Sequence, residues 1–122
     1  MKSTPRKLTL SAFTFLFRGG DCQGSPEQMQ QMMRKWMAWL KELEDKGHLK
    51  DRGNPLERSG KVVKGPRKTV TDGPYAETKD VVGGYTLLEA RDLSHTVELS
   101  KGCPIFELDA MVEVRPVMQM NM

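Results

Sequence analysis

Thr71-Asp72-Gly73-Pro74-Tyr75-Ala76-Glu77-Thr78-Lys79, running on through Asp80-Val81-Val82 to Gly83-Gly84-Tyr85, is the stretch on which the fold turns. Val70-Thr71 reads as the end of a strand. Asp72-Gly73-Pro74 is turn chemistry: the Asp carboxylate accepts from backbone N–H groups just ahead, Gly reaches angles other residues avoid, and Pro fixes its own φ. Gly73 precedes a proline and is biased towards extended backbone. Pro74 suits the first position of a short helical turn, where its missing N–H costs nothing. Gly83-Gly84 ends that turn and lets another backbone or a ligand come close. Tyr85 to Ala90 then reads as a mostly apolar strand. One loop between two strands therefore carries Asp72, Tyr75, Glu77, Lys79 and Asp80. As structure, it is a capped turn, with Asp72 capping, Glu77 and Lys79 solvated and Tyr75 covering core. As function, it is a set of polar groups held on a rigid sheet, a common place for a site.

Working outward, Leu8 to Arg18 reads as the first strand, with Phe13, Phe15 and Phe17 on one face and Leu10, Ala12, Thr14 and Leu16 on the other. Both faces are largely apolar, so a helix layer can cover one and a second subunit the other. Gly19 to Gly24 is a loop. It lacks the Lys-Ser or Lys-Thr of a phosphate loop, and Cys22 has no histidine near it in sequence to activate it. Ser25, Pro26 and Gln28 form a capping box with proline at the first helical position, and the helix runs to about Lys46 with Gly47 as its stop. Met29, Met32, Met33, Trp36, Leu40 and Leu43 recur at spacings of three and four and define its core stripe.

His48 to Asn54 is a loop or short strand; His48 is a candidate general base or metal ligand or, more simply, a cap whose partly protonated imidazole suits the C-terminal end of the helix dipole. Lys61 to Lys64 and Arg67 to Thr71 form a hairpin about Gly65-Pro66. Its basic residues Arg58, Lys61, Lys64, Arg67 and Lys68 suit an anionic ligand or, more simply, an edge charged against aggregation. Asp92 caps a second helix from Leu93 to about Lys101, closed by Gly102. His95 in its first turn is neutral and exposed, because a cation there opposes the dipole. Met111 to Val117 is the last strand, with Val112 and Val114 on one face and Glu113 and Arg115 on the other.

The 122 residues make one domain, from 8 to 117, between loose termini 1–7 and 118–122. Charged residues are 29% and hydrophobic ones 38%, ordinary for a soluble globular domain. A net charge of +3 is too mild to mark a nucleic-acid binder, and no helix-turn-helix is evident. Cys22 and Cys103 are too far apart to form a zinc spacing or a disulfide framework, and no metal site is expected. With no signal peptide and no apolar run long enough to span a membrane, the expected location is cytoplasmic.

Asp72-Gly73-Pro74-Tyr75-Ala76-Glu77-Thr78-Lys79 with Gly83-Gly84-Tyr85 resembles the signature of the YCII-related family, in the branch called DGPF proteins, with Tyr75 where that name has Phe. Gly102-Cys103-Pro104 and Val112 to Val117 continue the match, so the resemblance spans roughly residues 9 to 117. It implies an α+β, ferredoxin-like βαββαβ unit with an antiparallel sheet and an extra hairpin strand, pairing with a second copy as a dimeric α/β barrel. A related branch is associated with a His–Asp pair, but here the first strand and its loop hold no histidine, and His48 and His95 fall elsewhere.

Two functions follow as expectations. The first is a homodimeric small-ligand-binding protein or enzyme of unnamed reaction, with a site around the Asp72–Lys79 loop. Asp72 and Glu77 would be its acid/base or metal-binding carboxylates and Tyr75 a pocket wall or proton donor. Arg18, Arg67 and Lys79 would be contacts for a small anionic or aromatic ligand. The residues name no cofactor. The second is a non-catalytic regulatory module, which the resemblance suggests through the association of DGPF-type proteins with extracytoplasmic-function sigma factors.

Overall fold

A computed structural model of the chain describes residues 10–19, 24–74 and 80–120. In order these form β1 (Ser11–Gly19), α1 (Pro26–Asp45), β2 (Leu49–Asp51), β3 (Gly60–Lys64), β4 (Thr69–Gly73), β5 (Val82–Ala90), α2 (Leu93–Ser100) and β6 (Ala110–Pro116). A 3₁₀ turn, Pro104–Glu107, lies between α2 and β6. Four strands make one antiparallel sheet in the order β2-β5-β1-β6. Last, first, third, second is the order of a split β-α-β pair of units, so the fold is ferredoxin-like α+β.

The register shows why the core sits where it does. Phe13, Phe15 and Phe17 stand opposite Leu88, Thr86 and Gly84 of β5. Phe15 and Phe17 also stand opposite Val114 and Val112 of β6. This face meets the helices. Phe15 is fully buried and stacks on Trp39 of α1 at 5.8 Å, while Phe17 meets Trp36 edge-on at 4.9 Å. Leu40, Leu43, Cys103 and Ile105 complete the cluster. Among the described residues the buried polar side chains are satisfied: Thr86 Oγ1 donates to Arg52 O at 2.9 Å, Thr96 Oγ1 to Asp92 O at 2.8 Å and Ser100 Oγ to Val97 O at 2.6 Å.

Helix α1 begins as its sequence dictates. Ser25 Oγ accepts from the Gln28 N–H and Gln28 Oε1 accepts from the Ser25 N–H, at 3.2 and 2.9 Å. At the other end Gly47, at φ +80°, and His48 donate to the carbonyls of Glu44 and Leu43, a two-bond left-handed cap. In α2, Asp92 Oδ1 accepts from the His95 N–H at 2.8 Å.

Several expectations change. The fourth strand of the sheet is the short β2, and β3–β4 form a separate two-stranded sheet. The hairpin turn occupies Gly65 to Lys68, so Arg67 lies in it rather than in the return strand, and β4 continues through Asp72 to Gly73, which stands opposite Gly60. The Gly73–Pro74 peptide is cis. Gly83 and Gly84 belong to β5 rather than to the end of a helical turn. Gly102 has no left-handed role; a Cβ there would lie 3.2 Å from the Trp39 indole, so the position is kept small for that ring. The stripe of α1 divides: Trp39, Leu40 and Leu43 are buried, whereas Met29, Met33 and Met37 are exposed.

Candidate ligand cleft

The segment from Arg52 to Arg58 follows β2 and runs along β5, and glycines make that approach possible. Gly53 sits at φ +70°, and a Cβ there would fall 1.7 Å from the Tyr85 carbonyl oxygen. Leu56 N donates to Gly83 O at 2.8 Å, and Pro55 bridges to Gly84. A Cβ on Gly84 would lie 3.2 Å from Asn54 O. Backbone thus lies on backbone with no side chain between.

Between this segment and α1, from Met29 to Leu40, a cleft of about 440 Å³ opens, within the range of small-molecule sites. Phe17, Gly84, Ile105 and Leu108 line it from the sheet and the 3₁₀ turn. Met29, Met32, Met33, Trp36 and Met37 line it from α1. Pro55, Leu56 and Val81 add apolar surface, while Arg52, Glu57 and Arg58 bring charge. Among the described residues no carboxylate pairs with the Arg52 side chain. Thioether chains on one side of an apolar space adapt to ligands of different shape.

The six residues singled out from sequence go elsewhere or lie outside the described residues. Arg18 points from the opposite face of β1, where its Nε donates to Glu113 Oε1 at 2.8 Å and its Nη1 to the Asp80 carbonyl at 2.6 Å. Asp72 is an exposed strand residue that faces Lys61 across the hairpin and accepts from its ammonium. Arg67 is exposed in the hairpin turn. None of these three lines the cleft. Tyr75, Glu77 and Lys79 fall within 75–79, outside the described residues, as does Cys22. That segment returns at Asp80, immediately before the cleft residue Val81, whose carbonyl accepts from the Gly19 N–H at 3.2 Å.

The remaining reactive groups have structural partners. Burial pushes the Cys103 thiol up to about 12, so it stays protonated at neutral pH and is no nucleophile. His48 is tied to the sheet and to α2: its Nδ1 donates to the Glu89 carbonyl at 2.9 Å, and its ring meets that of His95 edge-on at 4.9 Å. His95 is half-buried rather than exposed. Its pKa is lowered from 6.5 by desolvation first, then by the charges of Arg91 and His48, with Asp92 opposing. Among the described residues no three His, Cys, Asp or Glu side chains gather where they would hold a metal. No helix among them is long and apolar enough to cross a membrane.

The fold and cleft define a small ferredoxin-like α+β domain with a ligand-sized opening between helix and sheet. The model of the YCII-related domain matches residues 14–121, and the chain belongs to the YCII-related family. Comparison with curated proteins finds none that matches.

Proposed function

We propose that this protein binds a small molecule in the cleft between α1 and the Arg52–Arg58 segment, either as a binding protein or as an enzyme acting on that molecule. The observation that carries the reading is a space of about 440 Å³ walled by thioethers and an indole, with Arg52 beside it. An aromatic or aliphatic body fits the apolar lining, and a carboxylate, sulfonate or phosphate fits the guanidinium. Val81, two residues beyond Lys79, lines this cleft, and Tyr75, Glu77 and Lys79 are kept as candidate contacts on the sequence motif alone. The same Asp72-Gly73-Pro74-Tyr75 motif supports the DGPF branch.

The protein acts as a homodimer in this reading. Ala12, Thr14, Leu16, Tyr85 and Leu87 lie on the sheet face away from both helices. Arg18 and Arg115 share that face with Glu89 and Glu113, so it carries both signs of charge, as a self-complementary two-fold patch can. A second copy is the occupant that fits, and light scattering on the wild type and on Leu16→Lys tests it. A monomeric wild type would remove this part of the proposal.

The ligand site is tested by thermal shift with aromatic carboxylates, fatty acids and phosphates, on the wild type and on Met33→Glu. A native-state ligand at a hundred times its Kd stabilises by about 2.7 kcal/mol. The expected result is a saturable shift that the variant loses. No shift with any compound would refute the site. A non-catalytic interaction module is the second reading, favoured by Val63 and Val70, which stand opposite each other on the hairpin at 63% and 59% exposure. Cytoplasmic location accords with either.

A further inference from the structure

We propose that the methionine wall of the cleft is an oxidation site, and that a hydroperoxide switches ligand binding off there by converting its thioethers to sulfoxides. The inference rests on the cleft being a ligand site and adds its regulation. Four of the nine methionines line this one opening. Three of them are well exposed: Met29 at 49%, Met33 at 58% and Met37 at 39%. Such exposure is unusual for a residue whose ordinary place is a core, and it puts each sulfur within reach of a small oxidant.

The step balances without any protein cofactor. A thioether lone pair attacks one oxygen of the hydroperoxide, the S–O bond forms and the O–O bond breaks. Sulfur is oxidised by two electrons and the peroxide is reduced to water or an alcohol, which takes up the remaining proton. The product is a polar, chiral side chain where an apolar one stood, and methionine sulfoxide reductases reverse it. Met29, Met33 and Met37 recur on one helix face, so several dipoles enter the same apolar space. Binding an apolar body there then leaves sulfoxide oxygens without partners. The fold is spared, because the buried part of α1 is carried by Trp39, Leu40 and Leu43, none of which is a thioether.

The experiment uses 8-anilinonaphthalene-1-sulfonate, an aromatic anion of the proposed ligand class, and hydrogen peroxide. Affinity is measured by fluorescence before and after treatment, sulfoxides are placed by peptide mass mapping, and circular dichroism checks the fold. The expected result is oxidation at Met29, Met33 and Met37, about a tenfold loss of probe affinity, and an unchanged spectrum. Met29→Leu/Met33→Leu/Met37→Leu has its own starting affinity, and peroxide leaves that value where it was. Met118→Leu/Met120→Leu removes exposed sulfurs outside the cleft and loses affinity on treatment as the wild type does. The proposal is overturned if the cleft sulfurs stay reduced while Met118 and Met120 oxidise. It is equally overturned if affinity survives their oxidation, or if the triple leucine variant loses affinity as well. Failure of the probe to bind the untreated protein at all overturns the cleft reading and this one together.

Discussion

Two parts of α1 carry the same apolar period and come to opposite ends. In the later part Trp39, Leu40 and Leu43 are buried against Phe13, Phe15 and Leu88. In the part before it, from Met29 to Met37, Met29, Met33 and Met37 continue the stripe over open space. The difference lies in what each part faces. The later part lies on the middle of the sheet. The earlier part faces the Arg52–Arg58 segment, which is held on β5 and leaves a gap between. Periodicity therefore says which face of a helix turns inward, and the partner decides whether that face becomes core or cavity.

Truncation separates the two parts most sharply. Phe15→Ala in the fully buried centre is expected to cost about 3–5 kcal/mol of stability. Met33→Ala is expected to stay within about 0.5 kcal/mol while weakening ligand binding. Denaturant unfolding of both variants checks this, and equal costs would break the contrast. Gly53→Ala strikes the far wall of the cleft. A methyl group against the Tyr85 carbonyl forces the segment off β5, with an expected loss of about 1–3 kcal/mol. A thermal-shift ligand that still bound normally to Gly53→Ala would show that the segment is no part of the site.

Ser25→Ala tests the open part at its own end. Removing the cap costs about 1 kcal/mol. Because little packs over the first turns, the effect is expected as faster amide exchange from Gln28 to Met33, with Leu40 and Leu43 protected as before. The smallest effect is on pH dependence. The folded pKa of His95 lies below its ordinary 6.5, so the unfolded chain takes up its proton first as the pH falls. The stabilising contribution is complete above pH 6.5 and is lost below it. His95→Gln is expected to flatten stability measured between pH 7 and 5, and an unchanged slope would place the acid sensitivity elsewhere.

Much of the frame was legible in the residues. The alternating phenylalanines of β1, the Ser25–Gln28 capping box and the Gly47 stop are local signals, complete within a few positions of chain. For the short β2 a loop or a strand were both open, because a three-residue strand has no period, and its membership of the sheet is fixed by pairing with β5 alone. The 3₁₀ turn escaped for the same reason of length. The glycine pair 83–84 marks a place of close approach, but nothing local says that Asn54 and Pro55 are what approaches. The cleft is therefore a tertiary fact. Its one sequence signal was four methionines on a single helix face, which is also what an adaptable core looks like. Titratable groups around Asp72 suggest chemistry, yet Asp72 is a cross-strand partner of Lys61.

The hairpin has a consequence of its own. Among the described residues β3 and β4 pair with each other and join no other strand, and a lone two-stranded ribbon is marginal in water. It should therefore open and close without the rest of the molecule, as a unit with its own small opening free energy. Trypsin has Arg67 and Lys68 exposed at its tip, and a nick there leaves the phenylalanine core untouched. The ribbon is for the same reason the part of the chain that insertions can lengthen, or evolution can exchange, while the fold that bears the cleft stays as it is.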